Sequence, residues 1–166
     1  HLAEQTETQR EESTSEWRAT GGLLVVDETG DVGRNFQEAD LAFHVRVPAN
    51  PNSLEQRIGR VDRYGNRSPA QQYVIADGDP DGLPTAWIKV LASGFGIFSE
   101  SISTLQEVVD DLAGDLWTTV LTDGIEGFLG RQAAIVEVLR KERRRINELD
   151  ALESSYGTRA DGEAMA

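Results

Sequence analysis

The sequence predicts an α/β lobe built on a parallel sheet, followed by an α-helical extension. Three observations carry this. Short apolar runs, Leu23–Val26, Leu41–Val47 and Gln71–Asp77, are separated by turns and by one amphipathic helix pattern. After Pro84 the strand signals stop and apolar residues recur at three- and four-residue steps. The 166 residues, 39% hydrophobic and 27% charged, are enough for an ordinary globular core.

Residues 1–20 are polar, and their Glu and Gln favour a helix from about Glu4 to Trp17, with Trp17 as its large apolar anchor. Gly21 and Gly22 end it. Leu23–Val26 then reads as a strand buried on both faces. It runs into Asp27-Glu28, which has the look of a magnesium-holding NTPase strand end. No Gly-Lys-Ser/Thr loop accompanies it, because Lys89 and Lys141 are followed by Val90 and Glu142. In Gly30-Asp31-Val32-Gly33-Arg34-Asn35-Phe36-Gln37-Glu38-Ala39-Asp40, Gly30 and Gly33 allow positive φ and close backbone approach. A turn before a short helix there would present N–H groups to phosphate oxygens.

Leu41–Val47 is the next strand, ending at Pro48. His44 has no acid–base partner in sequence and is expected to pack or hydrogen-bond locally. Asn52 or Ser53 is placed to cap the following helix, with Glu55 or Gln56 closing a capping box. In that helix Gln56, Arg60 and Arg63 fall at i, i+4 and i+7, on one face if it stays helical through Arg63. Leu54, Ile58 and Val61 form an inward row. A guanidinium fork matches phosphate geometry better than a lysine does.

The wording Asn52–Arg63, NSLEQRIGRVDR, contains Gln-x-x-Gly-Arg-x-x-Arg and resembles the sixth motif of superfamily-two helicases, SWI/SNF-type branch. Gly30–Asp40 resembles motif V of the same family. The Gly-Arg-Asn-Phe-Gln wording leans toward bacterial RapA-like members and phage-defence helicases. Two departures are visible: Val32 stands where many relatives carry an acidic residue, and Tyr64–Arg67 stands where relatives often have Gly-Gln. The resemblance covers residues 21–78 and implies the C-terminal part of a second RecA-like lobe.

The implied roles follow residue by residue. Arg60 and Arg63 would act as arginine fingers on the triphosphate of ATP, with Gln56 orienting the site. Gly30, Gly33, Asn35 and Gly59 would line the nucleotide side. ATP with Mg2+ is the implied cofactor, the metal being held by a first RecA-like lobe. Implied partners are that lobe, double-stranded DNA or another nucleic acid, and RNA polymerase or a defence-system protein. No membrane partner is expected, since no apolar run approaches the roughly 20 residues of a span.

Asp77–Gly82 is a turn-rich boundary without the ligand spacing of a calcium loop. Helices are expected over Pro84–Leu91, Ser101–Leu112, Leu116–Leu129 and Arg131–Glu153, with Gly94–Phe98 as an apolar loop docked among them. The organisation expected is therefore 1–20 a polar helix, 21–78 a partial lobe, 84–153 a helical extension and 154–166 a disordered tail. Lys141–Arg145 concentrates positive charge, read first as a solvated helix face.

The formal net charge is −13, so the chain by itself should bind nucleic acid poorly. Cysteine is absent, which excludes disulfides and cysteine-ligated metals, and with two histidines no zinc site is expected. His1 in place of Met reads as a fragment or processed start, and the composition fits a cytoplasmic protein. The expected function is part of an ATP-dependent helicase or translocase, inactive without a phosphate-binding loop. The alternative is a non-catalytic helical interaction module.

Overall fold

The first helix, α1, runs Glu7–Thr20 in a computed structural model that describes residues 5–27, 35–62 and 70–163, with side chains through Glu153. The chain divides into two units, one of His1–Pro48 with Ser53–Ile75, the other of Ala49–Asn52 with Ala76–Ala166.

In the first unit α1 starts later than Glu4 because Thr6 makes a capping box. The Gln9 N–H donates to Thr6 Oγ1 at 3.3 Å, and the Thr6 N–H donates to Gln9 Oε1 at 2.8 Å. The helix continues past Trp17 to Gly21, whose φ of 74° suits glycine and whose N–H donates to the Trp17 carbonyl. Strand β1 is Leu41–His44 and strand β2 is Gln71–Val74, paired in parallel with Leu41 opposite Gln71 and His44 opposite Val74. Helix α2, Pro51–Val61, is the crossover between them. The molecule is thus mixed α/β, as expected, with a small parallel sheet.

Both strands are shorter than the apolar runs implied. Beyond His44, Val45 is exposed and the Arg46 carbonyl accepts from Arg57 instead of a strand. Since β2 is paired only as far as β1 runs, its ladder ends with the Ile75 N–H donating to His44 O at 3.1 Å. The strand expected at Leu23–Val26 is a correction: residues 23–27 carry no regular secondary structure. Leu24 and Val26 pack against the Phe36–Val61–Ala70 cluster, while Leu23 and Val25 stay exposed. An apolar run cannot tell two-sided from one-sided cover, and the sheet among the described residues has two strands, β1 and β2.

The cap of α2 is also a correction. The Asn50 Oδ1 accepts the Asn52 N–H at 2.7 Å, and Pro51 takes the first helical position, where its missing N–H costs nothing. Asn52 is 8% exposed, and its amide is occupied elsewhere, donating to the Gln106 carbonyl and to Asp110 Oδ1.

In the second unit α3, Leu83–Lys89, passes into a π-helical turn, Val90–Phe95. The loop expected at Gly94–Phe98 therefore starts later, since Gly94 and Phe95 are buried inside that turn. Gly96 ends it with φ 68°. A short 3₁₀ turn, Ser103–Leu105, leads into α4, Gln106–Gly130. The two helices expected across this span join through Gly114, because Ala113 and Leu116 are buried and packing outweighs the propensity cost of Gly114. The break falls at Gly124 instead, whose φ 68°, ψ −164° kinks the helix. Helix α5 spans Gln132–Glu163, past Glu153, because propagation from an existing helix avoids the nucleation cost. Trp87 centres the core, with ring centroids 5.0 Å from Trp117 and 6.0 Å from Phe128.

Candidate functional site

Helix α2 presents Gln56 and Gly59 to solvent, leaves Arg60 half-buried, and buries Leu54, Ile58 and Val61. The inward row fixes how the helix is turned, and Gln56 and Arg60, four apart, share the opposite side. A methyl group on Gly59 would meet no described residue within 4 Å beyond its chain neighbours and its own helix backbone. Arg57 is spent structurally, its Nη1 donating to the Arg46 carbonyl at 2.9 Å. The helix is described only to Val61, and Arg63 lies outside the described residues, as do Gly30 and Gly33.

Asn35 is described and stands beside α2. The short helix expected after it is a hydrogen-bonded turn: the Ala39 N–H donates to Phe36 O at 2.9 Å, and the Gln37 N–H donates to Asn35 Oδ1 at 2.9 Å. The local side-chain acceptor competes with helix formation there. Phe36 is buried against Trp17, the rings edge to face at 6.3 Å. Its N–H donates to the Arg60 carbonyl at 2.8 Å. That carbonyl belongs to the last turn of α2, where no intrahelical donor remains. The Asn35–Phe36 segment and the Gln56/Arg60 helix are therefore joined backbone to backbone.

Sequence reasoning missed Arg18. Its Nη2 donates to the Asn35 carbonyl at 2.6 Å and its Nε lies 3.4 Å from Glu38 Oε1. The only local signal was a cation in the last turn of α1.

The remaining candidates resolve structurally. His44 is buried, with Nε2 hydrogen-bonded to Gln72 Oε1 at 2.8 Å, a local pairing of the kind expected. Asp77 and Asp79 accept backbone N–H groups from Asp79 and Asp81, which makes the boundary a run of side-chain-capped turns. Among the described residues no group of three or more His, Cys, Asp or Glu is placed to hold a metal.

The basic run on α5 is largely neutralised within the chain. Arg140 and Lys141 pair with Glu137, Arg143 with Glu100 and Arg145 with Glu142. The Arg140 hydrogen bond holds the Glu137 carboxyl below its ordinary range, and Arg145 does the same to Glu142. A recess of about 60 Å³ lined by Leu112, Leu116, Arg131 and Ile135 is far too small for a nucleotide. No helix among the described residues is long and apolar enough to cross a membrane.

Residues 2–65 match the helicase conserved C-terminal domain. The chain is 30% identical over 152 residues to the RNA polymerase-associated protein RapA of Pseudomonas aeruginosa (strain LESB58), covering 86% of this chain and 15% of that protein. It is 31% identical over 127 residues to the protein of the same name from Vibrio cholerae serotype O1 (strain M66-2), covering 76% and 12%. Against that of Photobacterium profundum it is 34% identical over 124 residues, covering 71% and 12%. The chain thus spans no more than 15% of the length of these curated relatives. No solved structure matches it significantly.

Proposed function

We propose that this chain, whose residues 2–65 match the helicase conserved C-terminal domain, is the C-terminal part of an ATP-dependent DNA (or RNA) helicase or translocase. Its contribution is the arginine side of the nucleotide cleft. Arg60 and Arg63 act as arginine fingers, stabilising the charge that spreads over the transferring phosphoryl oxygens. Gln56 orients the site. Gly59 leaves α2 open to a triphosphate approaching from outside, since no described residue beyond its own helix backbone would meet a Cβ there within 4 Å. Asn35, together with Gly30 and Gly33, couples nucleotide state to nucleic-acid contact.

The observation that carries the reading is the 2.8 Å hydrogen bond from the Phe36 N–H to the Arg60 carbonyl. It ties the two motif-bearing segments into one backbone unit, so a change at the loop is felt at the arginine helix. ATP with Mg2+, bound on the first RecA-like lobe, supplies the phosphoryl group and the metal charge. The residues of this chain supply orientation and charge stabilisation. Within these residues no Gly-Lys-Ser/Thr loop exists, so the chain alone hydrolyses no ATP.

The printed name of the RapA relatives brings contact with RNA polymerase to the proposal, and the helicase resemblance brings a nucleic-acid track, double-stranded DNA foremost. A defence-system protein is the other partner that the sequence wording raises. The site of action proposed is the cytoplasm.

In the full-length parent, Arg60→Ala is expected to lower ATP turnover by about 10³-fold or more, with the circular dichroism spectrum unchanged. Wild-type turnover in that variant would overturn the assignment. The alternative, a non-catalytic helical interaction module, draws on the exposed Leu149 and Leu152 of α5. A Gly-Lys-Ser/Thr loop encoded upstream of His1 decides for the ATPase, and its absence from an intact gene decides for the module.

A further inference from the structure

One peptide group links α1 to the arginine helix. The carbonyl of Asn35 and the N–H of Phe36 belong to the same planar unit. Its oxygen accepts from the Arg18 guanidinium at 2.6 Å, and its N–H donates to the Arg60 carbonyl at 2.8 Å. Rotating that plane breaks both bonds together. A charged donor on the oxygen also polarises the amide, which strengthens what the N–H gives to Arg60.

Arg18 holds the turn at two places, since its Nε lies 3.4 Å from Glu38 Oε1 beyond Phe36. Next to it in α1, Trp17 packs its ring on Phe36. The last turn of α1 therefore grips the segment Asn35–Glu38, which α2 holds through the Arg60 carbonyl. All of these residues lie within the first unit.

We infer that Arg18 is a positioning residue that sets Arg60 through the Asn35–Phe36 peptide. The inference rests on the arginine-finger reading for its catalytic consequence, while the peptide bridge itself stands on geometry. Arg18 touches no reacting group. Its task is to keep the end of α2, and with it the departure direction of the Arg60 side chain, in one orientation.

Two measurements test it. In the 166-residue chain, amide hydrogen exchange at Phe36 is followed in wild type, Arg18→Ala and Arg18→Lys. Arg18→Ala should speed exchange about tenfold, the loss expected for a hydrogen bond to a charged group. Arg18→Lys should recover part of that protection, because a single ammonium reaches one acceptor but lacks the fork. Unchanged exchange at Phe36 overturns the bridge. In the full-length parent, Arg18→Ala should lower kcat about tenfold while the KM for ATP stays within about twofold, the signature of a contact realised in the transition state. A fall in activity that merely tracks a lower folded fraction, or an unaltered kcat, overturns the positioning role. If Arg18→Ala does not fold, Arg18→Gln carries the same two readouts. Should Arg60→Ala retain wild-type turnover, the arginine-finger reading and the catalytic role of Arg18 fall together, and the Phe36 exchange still decides whether the bridge exists.

Discussion

One carboxylate oxygen of Asp110 accepts amide protons from both Asn50, at 2.7 Å, and Asn52, at 2.8 Å. Asn52 is 8% exposed and Pro51 between the two is fully buried, so few alternative partners are within reach of water. Removing the acceptor leaves a buried amide short of a partner, which costs about 1–3 kcal/mol. Asp110→Ala is therefore expected to lower the melting temperature by about 2–4 °C for each kcal/mol, as read by thermal unfolding. Asp110→Asn keeps an oxygen in place and should recover most of the loss. A wild-type melting temperature in Asp110→Ala would mean that water replaces the carboxylate without cost. The same residues show what a sequence can and cannot disclose about a site. The shared helical placement of Gln56, Gly59 and Arg60 is legible because it is local. The Arg18–Asn35 and Asn50–Asp110 bonds join residues 17 and 60 positions apart, and no periodicity encodes such a pairing. The cap is ambiguous in sequence for a local reason: Asn50, Asn52 and Ser53 are all good caps, and only Pro51 at the first helical position decides among them.

Helix α5 carries its charge in short-range pairs, and these set its response to acid. Glu137 and Glu142 are held below the ordinary carboxylate value of 4.5, in each case chiefly by the arginine hydrogen bond. A depressed folded-state pKa contributes stability above the unfolded value and loses it as pH falls through the folded value. The window thus lies below about pH 4.5. Both pairs are exposed, so the effect is small and screened by salt. Far-UV circular dichroism titrated downward from neutral pH should show helicity falling only in that acid range, and less steeply in Glu137→Gln with Glu142→Gln. An identical acid transition in that double variant would remove these pairs from the account. Among the elements, the helices were read most closely, since α1, α3 and α5 each overlap an expected segment. The strands were read in place but overextended. A strand's length is set by its partner's ladder, and Val45 or Ala76 gives no sign of where the partner stops. Gly94 and Gly114 looked like breaks and are helical, whereas Gly124 is the residue that bends the chain.

Among the described residues the parallel pair β1–β2 leaves one face bare. Leu41, Phe43, Val45, Tyr73 and Ile75 are all exposed, and Phe43 stacks on Tyr73 at 5.1 Å and 18°. Parallel sheets ordinarily have both faces covered, and a contiguous apolar surface with open strand edges is prone to associate. Opposing this is a net charge of −13, which keeps copies of the chain apart at low ionic strength. The repulsion weakens once the Debye length falls to about 3 Å near 1 M salt, while the apolar attraction does not. Sedimentation velocity should therefore show the chain shifting toward larger species as salt rises. Phe43→Ser combined with Tyr73→Ser should suppress that shift without altering the helical signal. The outcome separates two causes of association. If the double variant still assembles with salt, the driving surface is not the sheet but another exposed apolar set, such as Leu149 and Leu152 on α5. If neither chain assembles, the charge controls solubility at every ionic strength tested, and the stacked pair is too small a patch to overcome it.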